Sequence, residues 1–257
     1  MNNFLLASYT LATREVLRFL RQRNRVMGAI GQPLLFWLLL GFGFKATFQI
    51  QGTSINYVQF FFPGIINLIL LFTAIFSTFS LIEDRNEGFL QGVLVSPASR
   101  SSIVFGKVLG GSLIALLHAG LFLIFTPFIG LSLGVLDILT LLGIMLLTAV
   151  ALTSFGFCLA WKMDSTQGFH AIMMLVLMPL WFLSGAFFPS TGLTPTLNWL
   201  MKLNPLTYAV DATKHILLKK FEIGLMNLPS LNFCLMVIIT FGVVVFTLSL
   251  IFVRKKG

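Results

Sequence analysis

The residue types that carry out covalent chemistry are scarce in this sequence. Its three histidines, His118, His170 and His215, include no pair at metal-ligand spacing. Lys107 follows Gly106 as in a phosphate-binding loop, but Val108 stands where such a loop needs a hydroxyl to hold Mg²⁺. These residues predict no cofactor, no metal and no catalytic site, so we do not expect this chain to be an enzyme.

The composition excludes most classes of soluble protein. Only 10% of the 257 residues are charged and 57% are hydrophobic, whereas a soluble domain carries roughly 25% charged residues. This excludes a disordered chain, an ordinary soluble enzyme and a domain with a nucleic-acid partner. The formal net charge of +9 is then typical of a membrane protein whose basic residues report its orientation.

Long uncharged stretches set the predicted architecture. A membrane-spanning helix needs about 20 apolar residues, and each stretch comes close to that length or exceeds it. They predict an all-α polytopic membrane protein in the lipid bilayer, with residues 1–257 forming a single transmembrane domain. The six predicted spans are about 27–45, 58–82, 107–130, 138–161, 168–188 and 231–253.

Residues 1–26 predict an amphipathic helix that does not span the membrane. Arginines recur at helical spacing on one face and apolar residues on the other, so we expect the helix to lie flat in the interface with its arginines at the headgroups. The alternative is a solvated charged tail. The basic stripe is Arg14, Arg18, Arg21 and Arg25, and the apolar stripe is Leu5, Tyr9, Ala12, Val16 and Leu20.

The distribution of basic residues predicts the orientation. Six spans place both termini on one side, and with the termini inside, 12 of the 17 Lys and Arg residues are internal. Most of the others fall in the long segment 189–230, which the positive-inside rule weights little. We therefore expect a multi-pass protein of the cell inner membrane with both termini in the cytoplasm.

The loop 83–106 is the first segment with a specific functional signal. Apolar residues at spacing i, i+4 predict a short amphipathic helix, with acidic residues at its start, where the helix dipole favours them, and Pro97 at its end. Ser99 or Ser101 is expected to cap the next span. Such a helix docks on a partner or, alternatively, packs back on the bundle. The residues singled out are Glu83, Asp84, Arg85, Glu87, Phe89, Leu90, Val93, Leu94 and Pro97.

The segment 189–230 is the second segment with a specific functional signal. Prolines favour helix starts and predict two short amphipathic helices, about 195–203 and 206–220, that dip into the outer leaflet without crossing it. The residues singled out here are Pro189, Trp199, Asn204, Pro205 and Tyr208.

Taken together, these segments resemble the permeases of type-2 ATP-binding-cassette (ABC) exporters, over nearly the whole chain. The branch is most similar to the drug, lipo-oligosaccharide and haem exporters. The motifs are the N-terminal helix, Phe62-Pro63-Gly64, the loop Glu87 to Pro97, Gly106-Lys107, Phe182 to Pro189, and Asn204-Pro205-Leu206-Thr207-Tyr208.

The resemblance implies partners and roles that the residues alone do not. It implies a homodimer or a pair with a paralogous permease, each half recruiting a separate cytoplasmic ABC ATPase subunit. It makes the loop from Glu87 to Pro97 the coupling helix, 83–106 the coupling loop and 189–230 the external gate. The path for a small amphipathic or hydrophobic substrate would then run between spans two and five of the two protomers.

Three residues within the spans are candidates for that path: Asn67, Phe72 and His118. Polar groups inside a membrane are functional candidates by default, but Asn67 and His118 are equally explained by hydrogen bonds between helices. A close helix contact at Gly106-x-x-x-Gly110 has the spacing of a packing motif, although with 22 glycines one such match is expected by chance.

Two other functions remain open from the residues alone. A membrane assembly or structural protein would not need the loop 83–106. An ion-coupled carrier would need a buried ion site, and the six predicted spans contain no acidic residue.

Overall fold

The computed structural model describes residues 2–44, 55–95, 99–188, 193–221 and 228–255, and the regular elements of these ranges are helical. The α-helices are α1 (Asn2–Arg21), α2 (Arg23–Gly43), α3 (Tyr57–Ser77), α4 (Phe79–Asn86), α5 (Phe89–Val95), α6 (Arg100–Phe122), α7 (Val135–Trp161), α8 (Thr166–Phe182), α9 (Pro195–Leu203), α10 (Pro205–Leu217) and α11 (Leu231–Lys255). Two short 3₁₀ turns, Leu123–Phe125 and Pro127–Ile129, follow α6.

The fold is that of a polytopic membrane protein. Four helical segments are long and apolar enough to cross a bilayer: Tyr57–Asn86, Arg100–Phe125, Val135–Trp161 and Leu231–Arg254. Gly31–Gly43 and Thr166–Phe182 are shorter apolar helices. Several boundaries differ from the sequence-based ones, since α4 continues α3 as far as Asn86 and α6 begins at Arg100.

The capping residues explain where several helices begin. Ser99 accepts a hydrogen bond from the backbone N–H of Ser102, which confirms the predicted cap of α6. Asn56 and Gln59 form a capping box at the start of α3. Pro195 and Pro205 stand at the first positions of α9 and α10, where a missing N–H costs nothing.

Helix α3 is the centre of the bundle. It is apolar on all sides, and 83% of its most apolar window is buried, as expected for a helix surrounded by others. Helices α2, α6, α7, α8 and α10 pack around it, and α11 packs on the outside of α7 and α10.

The outer surface of the bundle is apolar. Leu109, Leu113, Leu117 and Leu121 recur every four residues along α6 and are all exposed. Exposed apolar residues continue along α11, for example at Val243 and Leu248. Such a continuous apolar surface is unfavourable in water and is the surface that lipid tails require.

Helix α1 runs alongside α6 in the same direction, from the contact of Phe4 with Phe105 to that of Phe19 with His118. Gly106 and Gly110 allow this approach: a Cβ at Gly106 would lie 2.6 Å from Leu11 Cβ, and one at Gly110 would lie 2.7 Å from Glu15 Cβ. The spacing attributed to chance therefore marks a real helix contact, and the arrangement differs from a helix lying flat across the ends of the spans.

Candidate functional site

Asp84 is fully buried where α1, α4 and α6 meet. Arg14 donates two hydrogen bonds to its carboxylate, at 2.8 and 3.0 Å, and Arg18 donates one at 2.9 Å. The ammonium of Lys107 lies 2.5 Å from Asp84 Oδ2. Three cations therefore converge on one carboxylate, which connects the first helix of the chain to the end of the central helix.

Lys107 extends this arrangement to a second acid. Its ammonium also donates to Glu15 Oε1 at 2.6 Å and to Ser80 Oγ at 3.0 Å, so that all three of its donors are used. Lys107 and Glu15 are both buried. We call Arg14, Glu15, Arg18, Asp84 and Lys107 the ionic cluster.

The electrostatics of the cluster make the loss of any one member costly. Removing one partner of a buried ion pair costs about 3–5 kcal/mol, because the other charge is left uncompensated. The hydrogen bonds from Arg14 to Asp84 raise the pKa of the guanidinium above its already high ordinary value, so Arg14 keeps its charge. The expectation that Arg14 and Arg18 face lipid headgroups is wrong, because the acidic residues of the bundle bind them.

The charged residues of the loop 83–106 divide into inner and outer ones. Asp84, one of the residues that the sequence singles out in this loop for docking on a partner, is fully buried, and its burial corrects that expectation. Arg85 also turns inward, donating to the carbonyls of Trp161 and Met163 at 2.8 and 3.0 Å. Glu83 and Glu87 remain at the surface, 2.9 and 3.7 Å from Arg18.

Helix α5 follows α4 after a tight turn at Gly88, which has a φ of 78°. Residues with a Cβ rarely adopt this backbone conformation. Leu90 is 4% exposed and belongs to the protein's own core, so it anchors α5 to the bundle. Phe89 is 37% exposed, and the guanidinium of Arg14 lies 3.8 Å from its ring centroid.

Three further residues that the sequence singles out in the loop 83–106 are Val93, Leu94 and Pro97. Val93 is half-buried and packs against the core, so the packed-back alternative holds for Leu90 and in part for Val93. Pro97 and the side chain of Leu94 lie outside the described residues.

At the opposite end, α9 and α10 form a hairpin that enters the bundle. Asn204, between them, accepts a hydrogen bond from Leu206 N–H at 3.0 Å and donates one to the carbonyl of Leu180 in α8 at 2.6 Å. Leu206 packs beside Thr148 in the middle of α7, whereas Lys219, just after α10, pairs with Asp137 near the start of α7. Helix α10 therefore begins deep in the bundle, and its C-terminal end lies at the end of the bundle where α7 starts.

Helix α10 carries a buried charged pair that the sequence pattern did not reveal. Lys214 lies 3.5 Å from Asp211, one helical turn earlier, and donates a hydrogen bond of 2.7 Å to the carbonyl of Gly185. Their side chains are only 2% and 8% exposed. We call Asp211 and Lys214 the gate pair; it ties α10 to the turn after α8.

Trp199 is exposed, whereas Pro205 and Tyr208 are half-buried. Tyr208 donates a hydrogen bond to the carbonyl of Lys202 at 2.8 Å, and Trp199 is 61% exposed. Pro205 is the first residue of α10. Pro189 lies outside the described residues.

Two of the three path candidates are enclosed within the protomer. Asn67 is fully buried and donates to Thr213 of α10 at 3.0 Å and to the carbonyl of Pro63 at 2.9 Å. His118 is buried, with its Nδ1 2.9 Å from the carbonyl of Ile114. Both geometries are those of structural hydrogen bonds, one between helices and one within α6.

Phe72, the third candidate, lines a cavity of about 280 Å³ between α2, α3 and α8. Its walls are almost entirely apolar and aromatic. Gln32 and Thr73 are the polar side chains among its lining residues. The other residues that line it include Phe19, Pro33, Phe36, Leu68, Phe76, Met178 and Trp181.

Comparison with known proteins decides the family. The sequence model of the ABC-2 type transporter family matches residues 7–218. This chain belongs to the ABC-2 type transporter family. The ABC-2 permeases are membrane translocation subunits, and the family implies an ABC ATPase as partner and a multi-pass membrane protein.

Relatives of this ABC-2 permease share modest identity over most of its length. It is 30% identical over 216 residues to the putative transport permease ycf38 of Cyanophora paradoxa, covering 83% of this chain and 74% of the relative. It is 24% identical over 221 residues to the daunorubicin resistance ABC transporter permease protein DrrB1 of Streptomyces coeruleorubidus, covering 82% and 75%. It is 25% identical over 173 residues to the probable multidrug ABC transporter permease YbhR of Escherichia coli strain K12, covering 65% and 45%.

Sequence reasoning missed Glu15, Lys107 and the gate pair as a set of buried charges in this permease. A signal existed for the first two, since Glu15 is the one acidic residue among the arginines of α1 and Lys107 interrupts the apolar pattern near the start of α6. Isolated charges in such surroundings are typically paired. No comparable signal marked Lys214, because 189–230 was interpreted as an external segment.

Proposed function

We propose that this chain is the membrane-spanning subunit of an ABC exporter and moves an amphipathic or hydrophobic substrate outward with ATP hydrolysed by a separate cytoplasmic subunit. The observation that carries the proposal is α5, a short helix that is fixed to the bundle by Leu90 and still exposes Phe89 beside the ionic cluster. In this proposal α5 is the coupling helix, and the ionic cluster holds it in place against the bundle.

The division of residues within α5 supports a two-sided role. Leu90 faces the protein's own core, whereas Phe89 and the surface acids Glu83 and Glu87 face outward. A partly exposed aromatic ring with charges around it has the composition of a small protein-binding surface. The ATPase would contact Phe89 and Val95, which are both exposed, with Glu87 at the rim.

The ionic cluster suggests how movement of α5 reaches the spans. Arg14 contacts the ring of Phe89 and the carboxylate of Asp84, and Asp84 in turn contacts Lys107 of α6. A displacement of α5 by the ATPase therefore acts on α1, on α4 with the central helix, and on α6 together. Alternating access would follow from the re-packing of these rigid elements.

The apolar cavity beside Phe72 supports a substrate with a large apolar part. In a homodimer, or a pair with a paralogous permease, two such cavities would border the path between the second and fifth spans. The hairpin of α9 and α10, held by Asn204 and the gate pair, would close that path at the outer surface. We infer six spans, α2, α3 with α4, α6, α7, α8 and α11, with both termini in the cytoplasm of the inner membrane.

The first test removes the exposed side of α5. Phe89→Ala with Val95→Ala, both at exposed positions of α5, should weaken binding of the ATPase, because apolar anchors that an interface buries contribute about 1–3 kcal/mol each on truncation. The measurement is co-purification of the ATPase and ATP hydrolysis in reconstituted vesicles. Phe128→Ala is the matched control, since Phe128 is 80% exposed and follows α6 at its far end. Wild-type co-purification and hydrolysis in the double variant would refute the coupling role of α5.

The second test concerns orientation. Cys158 and Cys234 are both buried, so we expect little labelling of the native cysteines. Labelling then reports on the cysteine that is introduced at an exposed position. On whole cells, an impermeant thiol reagent should label Ser132→Cys and leave Gln91→Cys unlabelled until the cells are permeabilised. Labelling of Gln91→Cys alone on intact cells would invert the topology.

A further inference from the structure

Three cations gather at the end of the bundle where α6 begins and α7 and α11 finish. Arg100 is the first residue of α6, Lys162 directly follows α7, and Arg254 lies in the last turn of α11. Arg100 Nη1 donates to the carbonyl of Arg254 at 3.4 Å, and Lys162 Nζ lies 4.4 Å from the ring centroid of Phe252. The side chains of Arg100 and Lys162 therefore both reach the final turn of α11, to which Arg254 itself belongs.

None of the ion pairs formed within the described ranges involves Arg100, Lys162 or Arg254. Asp164, two residues after Lys162, pairs with Arg85 instead. Helix dipoles account for Lys162 and Arg254, which stand at helix C-termini, but they oppose Arg100, which stands at an N-terminus. The arrangement leaves a site of positive charge that lacks an anion.

An apolar groove lies on the outer surface of the same three helices. Its volume is about 320 Å³, and it is lined from α6 by Phe105 and Leu109, from α7 by Leu147 and from α11 by Ile238 and Val243. Thr247 is the only hydroxyl-bearing side chain among its lining residues. The groove is therefore suited to a hydrocarbon chain and not to a polar ligand.

The groove starts within the leaflet that adjoins the three cations. Phe105 is five residues beyond Arg100, about 8 Å along α6, and Ile238 is 16 residues before Arg254, about 24 Å along α11, at 1.5 Å per residue. Half of the hydrocarbon core of a bilayer is about 15 Å thick. The groove thus begins just below the cations and extends past the middle of the membrane.

We propose that Arg100, Lys162 and Arg254 with this groove form a binding site for an anionic phospholipid. The phosphate of the lipid binds the three cations, and one acyl chain lies along the groove between α6, α7 and α11. Basic clusters at the ends of transmembrane helices are suited to anionic headgroups. The proposal requires only that the three helix ends share one membrane surface, and it does not depend on the transported substrate or on the direction of transport.

Charge complementarity favours a lipid over a second copy of this chain as the occupant. A symmetric contact between two copies presents the same surface patch on both sides. Such a contact would bring two sets of these three cations towards each other without an acidic partner. An anionic headgroup supplies the missing negative charge.

The charge requirement is tested by native mass spectrometry of the purified full chain with added lipids. Wild-type protein should retain phosphatidylglycerol in preference to phosphatidylcholine with the same acyl chains. Arg100→Gln with Arg254→Gln should lower retention of phosphatidylglycerol by about fivefold for each charge removed. Arg21→Gln is the matched control, because Arg21 is an exposed arginine at the end of α1, and it should leave retention unchanged.

The groove is tested separately with two neighbouring residues of α11. Val243 lines the groove, whereas Val244 is exposed outside it. Val243→Trp should fill the groove and reduce phosphatidylglycerol retention, and Val244→Trp should not. Equal retention of the two lipids by wild-type protein, or equal effects of the two tryptophans, would overturn the proposal. So would a disulfide between two copies at Leu109→Cys in membranes, because a second copy would then cover the groove.

Discussion

The ionic cluster and the gate pair both hold charges away from water, yet they are built on different principles. The bonds of the cluster join residues far apart in the chain: 70 positions separate Arg14 from Asp84, and 92 separate Glu15 from Lys107. The gate pair lies within one helical turn of α10; Lys214 donates a hydrogen bond to the carbonyl of Gly185, and its ammonium lies 4.9 Å from the ring centroid of Phe60 in α3. The ionic cluster joins three helices by ion pairs, whereas the ion pair of the gate pair forms inside one helix.

Access to water separates the two regions further. The side chains of Arg14 and Arg18 are 30% and 25% exposed and connect the cluster to the acids at the surface. The gate pair is sealed, with Lys214 only 2% exposed. Salt should therefore weaken the outer contacts of the cluster, as it does for exposed charges, and leave the gate pair unaffected. The ionic cluster is therefore connected to the surface of the protein, whereas the gate pair is enclosed within it.

The largest expected effect comes from removing the centre of the cluster. Asp84→Ala leaves Arg14, Arg18 and Lys107 without their shared carboxylate, and we expect a loss of about 3–5 kcal/mol in the free energy of unfolding. Thermal unfolding in detergent and the amount of protein in the membrane measure this loss. Asp164→Ala is the control, because Asp164 is 90% exposed in its pair with Arg85, and exposed pairs contribute about 1 kcal/mol or less. Equal effects of the two variants would show that the ionic cluster does not hold the helices together.

A smaller effect is expected at the gate pair, and it should be reversible. Lys214→Met leaves Asp211 and the Gly185 carbonyl without a buried partner, at about 2–3 kcal/mol. Adding Asp211→Leu should restore most of that stability, because replacing both members of a buried pair by apolar residues is often neutral. Export should remain reduced in the double variant, since α10 is no longer tied to the turn after α8. Restoration of export along with stability would show that the pair has no role beyond its own neutralisation.

The smallest of the three effects concerns the turn between α9 and α10. Asn204→Ala removes the cap of α10 and the bond to Leu180, and loss of a helix cap costs about 1 kcal/mol. We expect export to fall while insertion and abundance stay near wild type. Tyr208→Phe removes a single bond at the surface and should stay within about 0.5 kcal/mol. Transport by Asn204→Ala equal to that of Tyr208→Phe would argue against a gate at this turn.

Local sequence was sufficient to predict the helical class and several helix starts. The cap at Ser99 and the prolines that begin α9 and α10 follow from rules that involve only neighbouring residues. The membrane class follows from the length of the uncharged stretches, because a bilayer demands about 20 apolar residues for each crossing. The family resemblance also rests on short motifs in a fixed order, and such motifs are readable without any knowledge of contacts.

The pairing of charges could not be predicted in the same way. Nothing near Glu15 in the sequence indicates that its partner is Lys107, since their separation of 92 residues is set by the packing of α1 along α6. The same packing decided that Asp84 is buried, because side chains of α1 and α6 both bind its carboxylate.

The sequence by itself determined that this protein is a helical membrane protein with an amphipathic loop helix and two short proline-initiated helices, because the bilayer and helix geometry act on contiguous residues. The order of its short motifs indicated the permease family. Only the tertiary structure decided which charges meet, which side of α5 stays exposed, and that Asn67 bonds to Thr213 within the protomer. The physical reason is that burial and ion pairing depend on which faces of distant helices come together. That choice is made by the packing of the whole bundle and not by the periodicity of any one helix.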